Sequence, residues 1–261
     1  MRRYEGRTWD ERFLPRLSTA EIAALDKERA LLVLPIASVE QHGGHLPVFT
    51  DSLLNEGLVE GAVAQLPPDA GVWVLPPLYY GKSTEHCGFS GTLSLSTETL
   101  LRVLGDLIAG IAGDGWRRLL IINSHGGNPE VLTLAARDAR ADFGIRVYVV
   151  NTGELYAHES LPERELAYGI HGGALETSIM LALKPEWVRT DKYVAEYPVR
   201  MERSHFKFGG AASYGWLTSD FSETGVIGDP ALAGAELGRD IYGRVCSRLA
   251  DMMMELLDQQ P

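Results

Sequence analysis

A six-residue apolar run, Leu31-Leu32-Val33-Leu34-Pro35-Ile36, gives way to Glu40-Gln41-His42-Gly43-Gly44-His45 and then to Thr50-Asp51. The run reads as a buried strand. A core strand that breaks into acids and imidazoles delivers them to a cleft at its end. Glu40 and His42 are two residues apart, so on an extended backbone they point to the same face. Asp51 lies nine residues beyond His42, across a Gly-Gly segment able to fold back. Carboxylates with neutral imidazoles are the ligand set that zinc and manganese prefer. Taken singly, each residue reads as part of a polar loop after a strand. Taken together they read as a metal site, because three other segments supply matching groups.

The rest of the chain alternates strand and helix patterns. Strands are expected at Ala30–Ile36, Val72–Leu75, Arg118–Asn123 and Arg146–Val150. Helices are expected at Ser52–Gln65, Thr97–Ala112, Pro129–Phe143, Ala174–Leu183 and Pro230–Gln259. Ser96 is an N-cap candidate, with Glu98 in the first turn. This alternation implies the α/β class: a three-layer α/β/α sandwich around a mostly parallel sheet. Sites in such sheets form beyond the carboxyl ends of strands, where the motif residues fall. The 261 residues fit one large domain or two small ones. With no repeat, low-complexity tract or convincing linker, residues 1–261 are expected to form one domain. The segment from Pro185 to Gly228 is less periodic and rich in Gly and aromatic residues, suited to covering the site or to subunit contacts.

Composition excludes several partners. A net charge of −11 leaves no basic footprint for nucleic acid. No apolar run reaches the about 20 residues that span a bilayer. The segment Met1–Arg7 lacks an apolar signal-peptide core. Two cysteines, Cys87 and Cys246, cannot build a disulfide framework in a chain this long, so a reducing, cytoplasmic setting is expected.

Five of the seven histidines fall in dense motifs. Asn123-Ser124-His125-Gly126-Gly127-Asn128 follows a strongly apolar strand and opens a helix, placing His125 at a strand end. The plainer reading is a structural histidine in a turn. His171-Gly172-Gly173-Ala174-Leu175-Glu176 puts Glu176 near a helix start, where the dipole favours a carboxylate. Simple dipole compensation would explain that as well. Gly81-Lys82-Ser83-Thr84-Glu85-His86-Cys87 reads equally as a substrate loop, with Ser83, Glu85 and His86 as contacts, or as a structural loop. Cys87 beside His86 is weak grounds for a nucleophilic thiol. Counted together, Glu40, His42, Asp51, His125 and Glu176 exceed what one tetrahedral catalytic zinc with an open position takes. They suit two divalent ions (zinc, manganese or iron) sharing one carboxylate, for which Asp51 is the candidate. His171 is left over as a proton carrier. The chemistry that follows is hydrolysis by a metal-bound hydroxide, with the leaving group protonated by His171.

At this point the motifs match a known family. Along most of its length the chain resembles the creatininase (creatinine amidohydrolase) family. The carrying segments are Ser38–Pro47, Thr50-Asp51, Gly81–His86, Gly91–Leu95, Asn123–Asn128, His171–Ser178 and Gly225–Pro230, in the family's order and spacing. The resemblance implies an α/β/α fold, a two-metal site holding zinc and often manganese, and a homo-oligomer, commonly a hexamer. It places Glu40, His42, Asp51, His125 and Glu176 on metal-ligand positions and His171 on the catalytic histidine. Three positions depart from family patterns. Creatininase itself has a Glu at the position of Gly127 and a Trp at that of Ala167, followed here by Tyr168, a further candidate substrate contact. Other members carry an acid at the position of Ala174. These departures argue against creatinine as substrate. They leave a small amide or cyclic amide, with a cyclic polyol ketone or lactone (as in 3-dehydro-scyllo-inosose hydrolases) as the alternative and a non-catalytic metal scaffold behind both. Other relatives are formamide hydrolases and a peptidase that trims a redox-cofactor precursor.

Overall fold

The computed structural model of the protein describes residues 6–259. Residues 1–5, on which most of the signal-peptide expectation rests, lie outside the described residues. Four strands form one parallel sheet: β1 (Leu31–Ile36), β2 (Val72–Val74), β3 (Arg118–Asn123) and β4 (Arg146–Asn151), in the order β2-β1-β3-β4. The helices are α1 (Arg7–Glu11), α2 (Thr19–Ala23), α3 (Thr50–Val63), α4 (Thr97–Gly113), α5 (Pro129–Phe143), α6 (Glu163–Tyr168), α7 (Ala174–Leu183), α8 (Val199–Glu202) and α9 (Ala235–Asp258).

The two-residue period of a strand sorts the apolar runs onto two faces. Leu31, Val33, Leu120 and Ile122 face a core built with Leu54, Leu58 and Val59 of α3, Ile179 and Met180 of α7, and Ile241, Val245 and Leu249 of α9. Leu32, Leu34, Ile36, Leu119 and Ile121 face the second core, with Leu100, Leu104 and Ile108 of α4 and Leu132 and Ala135 of α5. β1 and β3 are buried along their whole length, which is why both read as continuous apolar runs rather than alternating ones. The result is the expected α/β/α sandwich. Pro35 is tolerated in a central strand because β1 has outrun β2 there. β2 pairs only as far as Val33↔Val74, and the Pro35 carbonyl still accepts from Leu78 N at 2.9 Å.

Chain order sets where a site can form. β1 leads through α3 to β2 at one edge. The chain then crosses back over β1 through α4 to β3 and continues outward to β4. The direction reverses between β1 and β3, and the crevice at their carboxyl ends is where ligands bind in such sheets. Asn55 of α3 ties that crevice together. Its Nδ2 donates to Ile36 O at 3.0 Å, Ile122 O at 2.9 Å and Ser124 Oγ at 3.1 Å.

Two helix starts differ from expectation, and three helix ends shift by one or two residues. α3 begins at Thr50 rather than Ser52, so Asp51 sits in its first turn, where the helix dipole favours a carboxylate. The closing helix begins at Ala235, not Pro230. A 3-10 turn, Pro230–Leu232, capped by Asp229, precedes it, and Gly234 is extended. α9 lies close against α7 because residue 238 is Gly: a Cβ there would collide with Ser178 O. The irregular segment before α9 carries an aromatic cluster of Phe208, Tyr214, Trp216 and Phe221. No helix among the described residues is long and apolar enough to cross a membrane.

Candidate active site

Four of the sequence-predicted ligands arrive from the β1/β3 crevice. Glu40 and His42 follow β1, Asp51 opens α3, and His125 follows β3. The fifth, Glu176, comes from the first turn of α7. All five meet. His42 Nε2 lies 3.1 Å from Asp51 Oδ1 and 3.9 Å from Glu176 Oε2. His125 Nδ1 lies 3.0 Å from Glu40 Oε2 and 3.2 Å from Asp51 Oδ2. Of four possible ligand trios among the described residues with ligand atoms within 4.8 Å of one another, two are made wholly of these five residues, His42–Asp51–Glu176 and Glu40–Asp51–His125; the others join Glu40 to His42 and His171 and to Glu85 and His86. Asp51 belongs to both of the first two and turns one oxygen toward each. His171 sits beside them, its ring centroid 4.2 Å from that of His42 and its Nδ1 3.6 Å from Glu40 Oε1.

The donor set fits divalent cations. His42 Nε2 and Asp51 Oδ2 are buried and, although Asp51 Oδ1 and His125 Nδ1 lie 3.1 and 3.2 Å away, neither completes a well-aligned hydrogen bond among the described residues. Buried polar atoms are rarely left so, and these two point into the same cluster. Burial opposes every charge here, but the groups hold one another. The Glu40 carboxyl is drawn down to about 2, chiefly by His125 and His86 acting against burial. Asp51 is also lowered, by His42 and His125, against burial. Against the same burial, Asp51, Glu176 and Glu40 lift His42 to about 10, and Glu40 and Asp51 raise His125. Burial pushes Glu176 up to about 7. His171 is driven well below its ordinary value by burial and by the neighbouring His86 and His42, so it is neutral.

The loop candidates divide. Ser83 Oγ donates to Glu40 Oε2, bracing a candidate ligand. Glu85 Oε1 lies 3.3 Å from His125 Nε2, which also donates to Lys82 O at 2.8 Å. His86 stacks on His171 with ring centroids 3.9 Å apart. Tyr168 is engaged elsewhere, accepting from Lys207 Nζ at 3.0 Å. The departures at 127 and 174 have physical counterparts. A Cβ on Gly127 would collide with Glu85 Oε1, Lys82 O and His125 Nε2, so the carboxylate of Glu85 fills the space beside His125. Ala174 N donates at 2.7 Å to Glu165, a fully buried acid that also accepts from Tyr197 Oη and Asp229 N. Ala167 is exposed.

Several residues that matter here were not singled out from sequence. Gln41 links His86, Gly43, Gly225 and His171. Asn123 and Asn128 brace the His125 turn through bonds to His125, to each other and to Ala37 O. Glu165 sits in the run Glu163-Arg164-Glu165, which reads as a solvated helix face. Gln41 had a signal in its place between two candidate ligands, and Asn123 and Asn128 in bounding the His125 motif; Glu165 had none.

Comparisons with known proteins agree with this geometry. The family model for Creatininase, described as creatinine amidohydrolase, matches residues 15–253. A mycofactocin precursor peptide peptidase of Mycolicibacterium smegmatis is 32% identical over 240 residues, covering 90% of this chain and 89% of its own. The creatinine amidohydrolase of Pseudomonas putida is 35% identical over 198 residues, 69% of this chain and 73% of its own. Among solved structures, a mutant creatininase of the Zn-Zn type superposes with a TM-score of 0.73 at 27% identity, covering 95% of this chain and 98% of that one. Motif order, sheet topology and matches over most of the chain place the protein in the creatininase family, as a metal-dependent hydrolase of the amidohydrolase type.

Proposed function

We propose that the protein hydrolyses the C–N bond of a peptide or other small amide, using two divalent cations and His171. The observation that carries this reading is Asp51, whose two oxygens address two separate ligand trios. Glu40, Asp51 and His125 would hold one ion; His42, Asp51 and Glu176 would hold the other. When bound, such ions supply a Lewis acid for the amide carbonyl and lower the pKa of water.

His171 is suited to move the proton. Its Nε2–H donates to Gln41 O at 2.6 Å, which leaves Nδ1 as the free nitrogen on the side of Glu40. A neutral imidazole in that tautomer accepts the proton of the attacking water and returns it to the departing nitrogen. A peptide is favoured over creatinine for two reasons. The peptidase relative matches along nearly the whole chain. Ala167 is exposed and small where creatininase closes a Trp over its compact substrate. The exposed apolar side chains Val194, Val199, Phe206 and Leu217 support assembly into a homo-oligomer.

The test is elemental analysis of protein purified without added metal. It is followed by a hydrolysis panel of short peptides, cyclic amides including creatinine, lactones and an inosose-type ketone. The expected result is about two metal ions per chain and turnover confined to amides. Turnover confined to the ketone would replace this reading with the polyol one. Full metal loading with no turnover across the panel would leave a scaffold.

A further inference from the structure

The proton positions on two stacked imidazoles can be read from a single residue. The side-chain amide of Gln41 is oriented without ambiguity by the backbone. Its Oε1 accepts from Gly43 N at 2.9 Å, and its Nε2 donates to Gly225 O at 2.9 Å. That same Nε2 lies 2.9 Å from His86 Nδ1. An amide nitrogen only donates, so His86 Nδ1 is an acceptor. Thr218 Oγ1 meets the same nitrogen at 2.9 Å. The neutral ring therefore carries its proton on Nε2, which faces Glu40 Oε1 at 3.5 Å. The main-chain carbonyl of Gln41 imposes the reverse on His171, whose Nε2–H it binds, turning Nδ1 toward the same oxygen at 3.6 Å. One residue thus gives two rings, 3.9 Å apart, opposite hydrogen-bond polarity toward one point of the site.

We propose that His86 is a catalytic hydrogen-bond donor, presenting Nε2–H to the carbonyl oxygen of the scissile amide opposite the proton-accepting Nδ1 of His171, with Gln41 as the positioning residue for both. This rests on the hydrolase reading above. In the addition step the water oxygen bonds to the carbonyl carbon, the π pair moves onto oxygen, and the water proton passes to His171 Nδ1. His86 keeps its proton and strengthens its bond to the oxygen as charge develops there. In the second step the C–N bond breaks, the carbonyl reforms, and His171 returns the proton to nitrogen. His86 is thereby separated from the metal ligands, since a protonated Nε2 cannot coordinate a cation.

Two measurements test this. Neutron diffraction on deuterium-exchanged crystals of the zinc-loaded protein reads the proton position directly, whether or not a substrate is known. Deuterium on Nε2 of His86 and on Nε2 of His171 is expected; deuterium on Nδ1 of His86 overturns the proposal. Kinetics on whichever panel amide is turned over read the role. His86→Leu should lower kcat by about 10²–10³-fold, with KM and zinc content unchanged. His86→Gln, which can return an N–H near the Nε2 position, should recover part of the loss. Loss of zinc in His86→Leu would make His86 a ligand, and wild-type kcat would make it a bystander; either refutes the proposal. If wild-type protein hydrolyses nothing, the hydrolase reading falls, while the neutron map still decides the donor assignment.

Discussion

The site has two halves built in different ways. One half hangs from regular structure: Glu40 and His42 beyond β1, His125 beyond β3, Asp51 in the first turn of α3. The other half hangs from loops: His86 on a 3-10 turn, Thr84–His86, His171 in an irregular segment, and Glu176 just inside α7. The first half is fixed by the sheet ladder and by Asn55, which pins the ends of β1 and β3 together. The second is fixed by polar side chains that bridge segments distant in sequence, Gln41 to Gly225 and Glu165 to Ala174 and Asp229. The lesson is a division of labour. Strand ends set where charge is concentrated, which a cation needs. Loops set which nitrogen carries a proton and what can approach, which a reaction needs. Loops also vary more easily than the strands that support them.

The largest expected effect breaks the first half outright. Asp51→Ala removes the residue common to both trios. Metal content should fall from about two ions per chain to near zero, and turnover by roughly a thousandfold or more. Glu176→Ala removes a ligand from one trio only and should leave about one ion. Elemental analysis of the two variants side by side checks this. Equal losses would mean that Asp51 is not shared.

Next in size is the response to pH. Opposing burial, Asp51 and the neighbouring acids raise His42 from 6.5 to about 10, and burial raises Glu176 from 4.5 to about 7. A cation must displace both protons, so zinc affinity should rise with pH, most steeply below pH 7. For chelated protein the sign reverses. His42 contributes stability below its unfolded value of 6.5 that is lost as pH climbs toward 10. Glu176, whose proton is held more tightly when folded, contributes below 4.5 and loses that contribution as pH rises through 7. Glu40, drawn down to about 2, changes only in strong acid. The gap in Tm between zinc-loaded and EDTA-treated protein should therefore widen from about pH 5 to about pH 9. A gap that narrows over that range would mean these groups are not the ones a metal displaces.

The same division explains what could be read from the chain. The strand-end half was legible because a parallel sheet buried on both faces leaves long apolar runs, and polar residues stand out where such runs stop. The sheet and four of the five ligand candidates, Glu40, His42, Asp51 and His125, followed from that contrast. The N-cap of α4 was legible too, since Ser96 and Glu98 carry the chemistry of a helix start locally. In the loop half Glu176, His171 and His86 stood out as residues, but the contacts that fix them did not. Nothing near Glu165 reveals that Tyr197 and Asp229, 32 and 64 residues away, will surround it. Glu85 looked like a substrate contact, because its place beside His125 depends on Gly127, which is close only in three dimensions. Pairings made by loops depend on where segments finally meet, and periodicity does not encode that.

Removing one tie from each half sharpens the contrast. Asn55→Ala removes the one side chain that bridges the carbonyls of Ile36, which keeps Ser124 N at 3.1 Å, and of Ile122 in a buried crevice, and should lower stability by about 2–4 kcal/mol. Glu165→Gln keeps the shape but turns an amide group toward N–H donors, and should cost about 1–2 kcal/mol. Denaturant unfolding orders the two. Zinc titration should separate them further. Asn55→Ala should weaken both ions, because it loosens β1 against β3. Glu165→Gln should weaken chiefly the ion that uses Glu176, because Glu165 holds the start of α7. If Glu165→Gln weakened both ions equally, the two halves would be one mechanical unit.

The smallest expected effect is a control on all of these. Ser96 caps α4 on the sheet face away from α3, α7 and α9, its Oγ accepting from Thr99 N at 3.1 Å. Ser96→Ala removes that bond from an exposed helix start and should lower stability by about 1 kcal/mol. Ser94 and Leu95 just before it meet Ser83 N and Gly81 O, but the Ser96 side chain bonds Thr99 instead, so metal content, zinc affinity and kcat should stay at wild-type values despite the lower Tm. That combination shows whether loss of metal in the Asn55 and Glu165 variants reflects the ties themselves rather than reduced stability. Were Ser96→Ala to shed zinc in proportion to its stability, metal affinity in this fold would follow global stability, and the strand and loop halves could not be told apart by mutation.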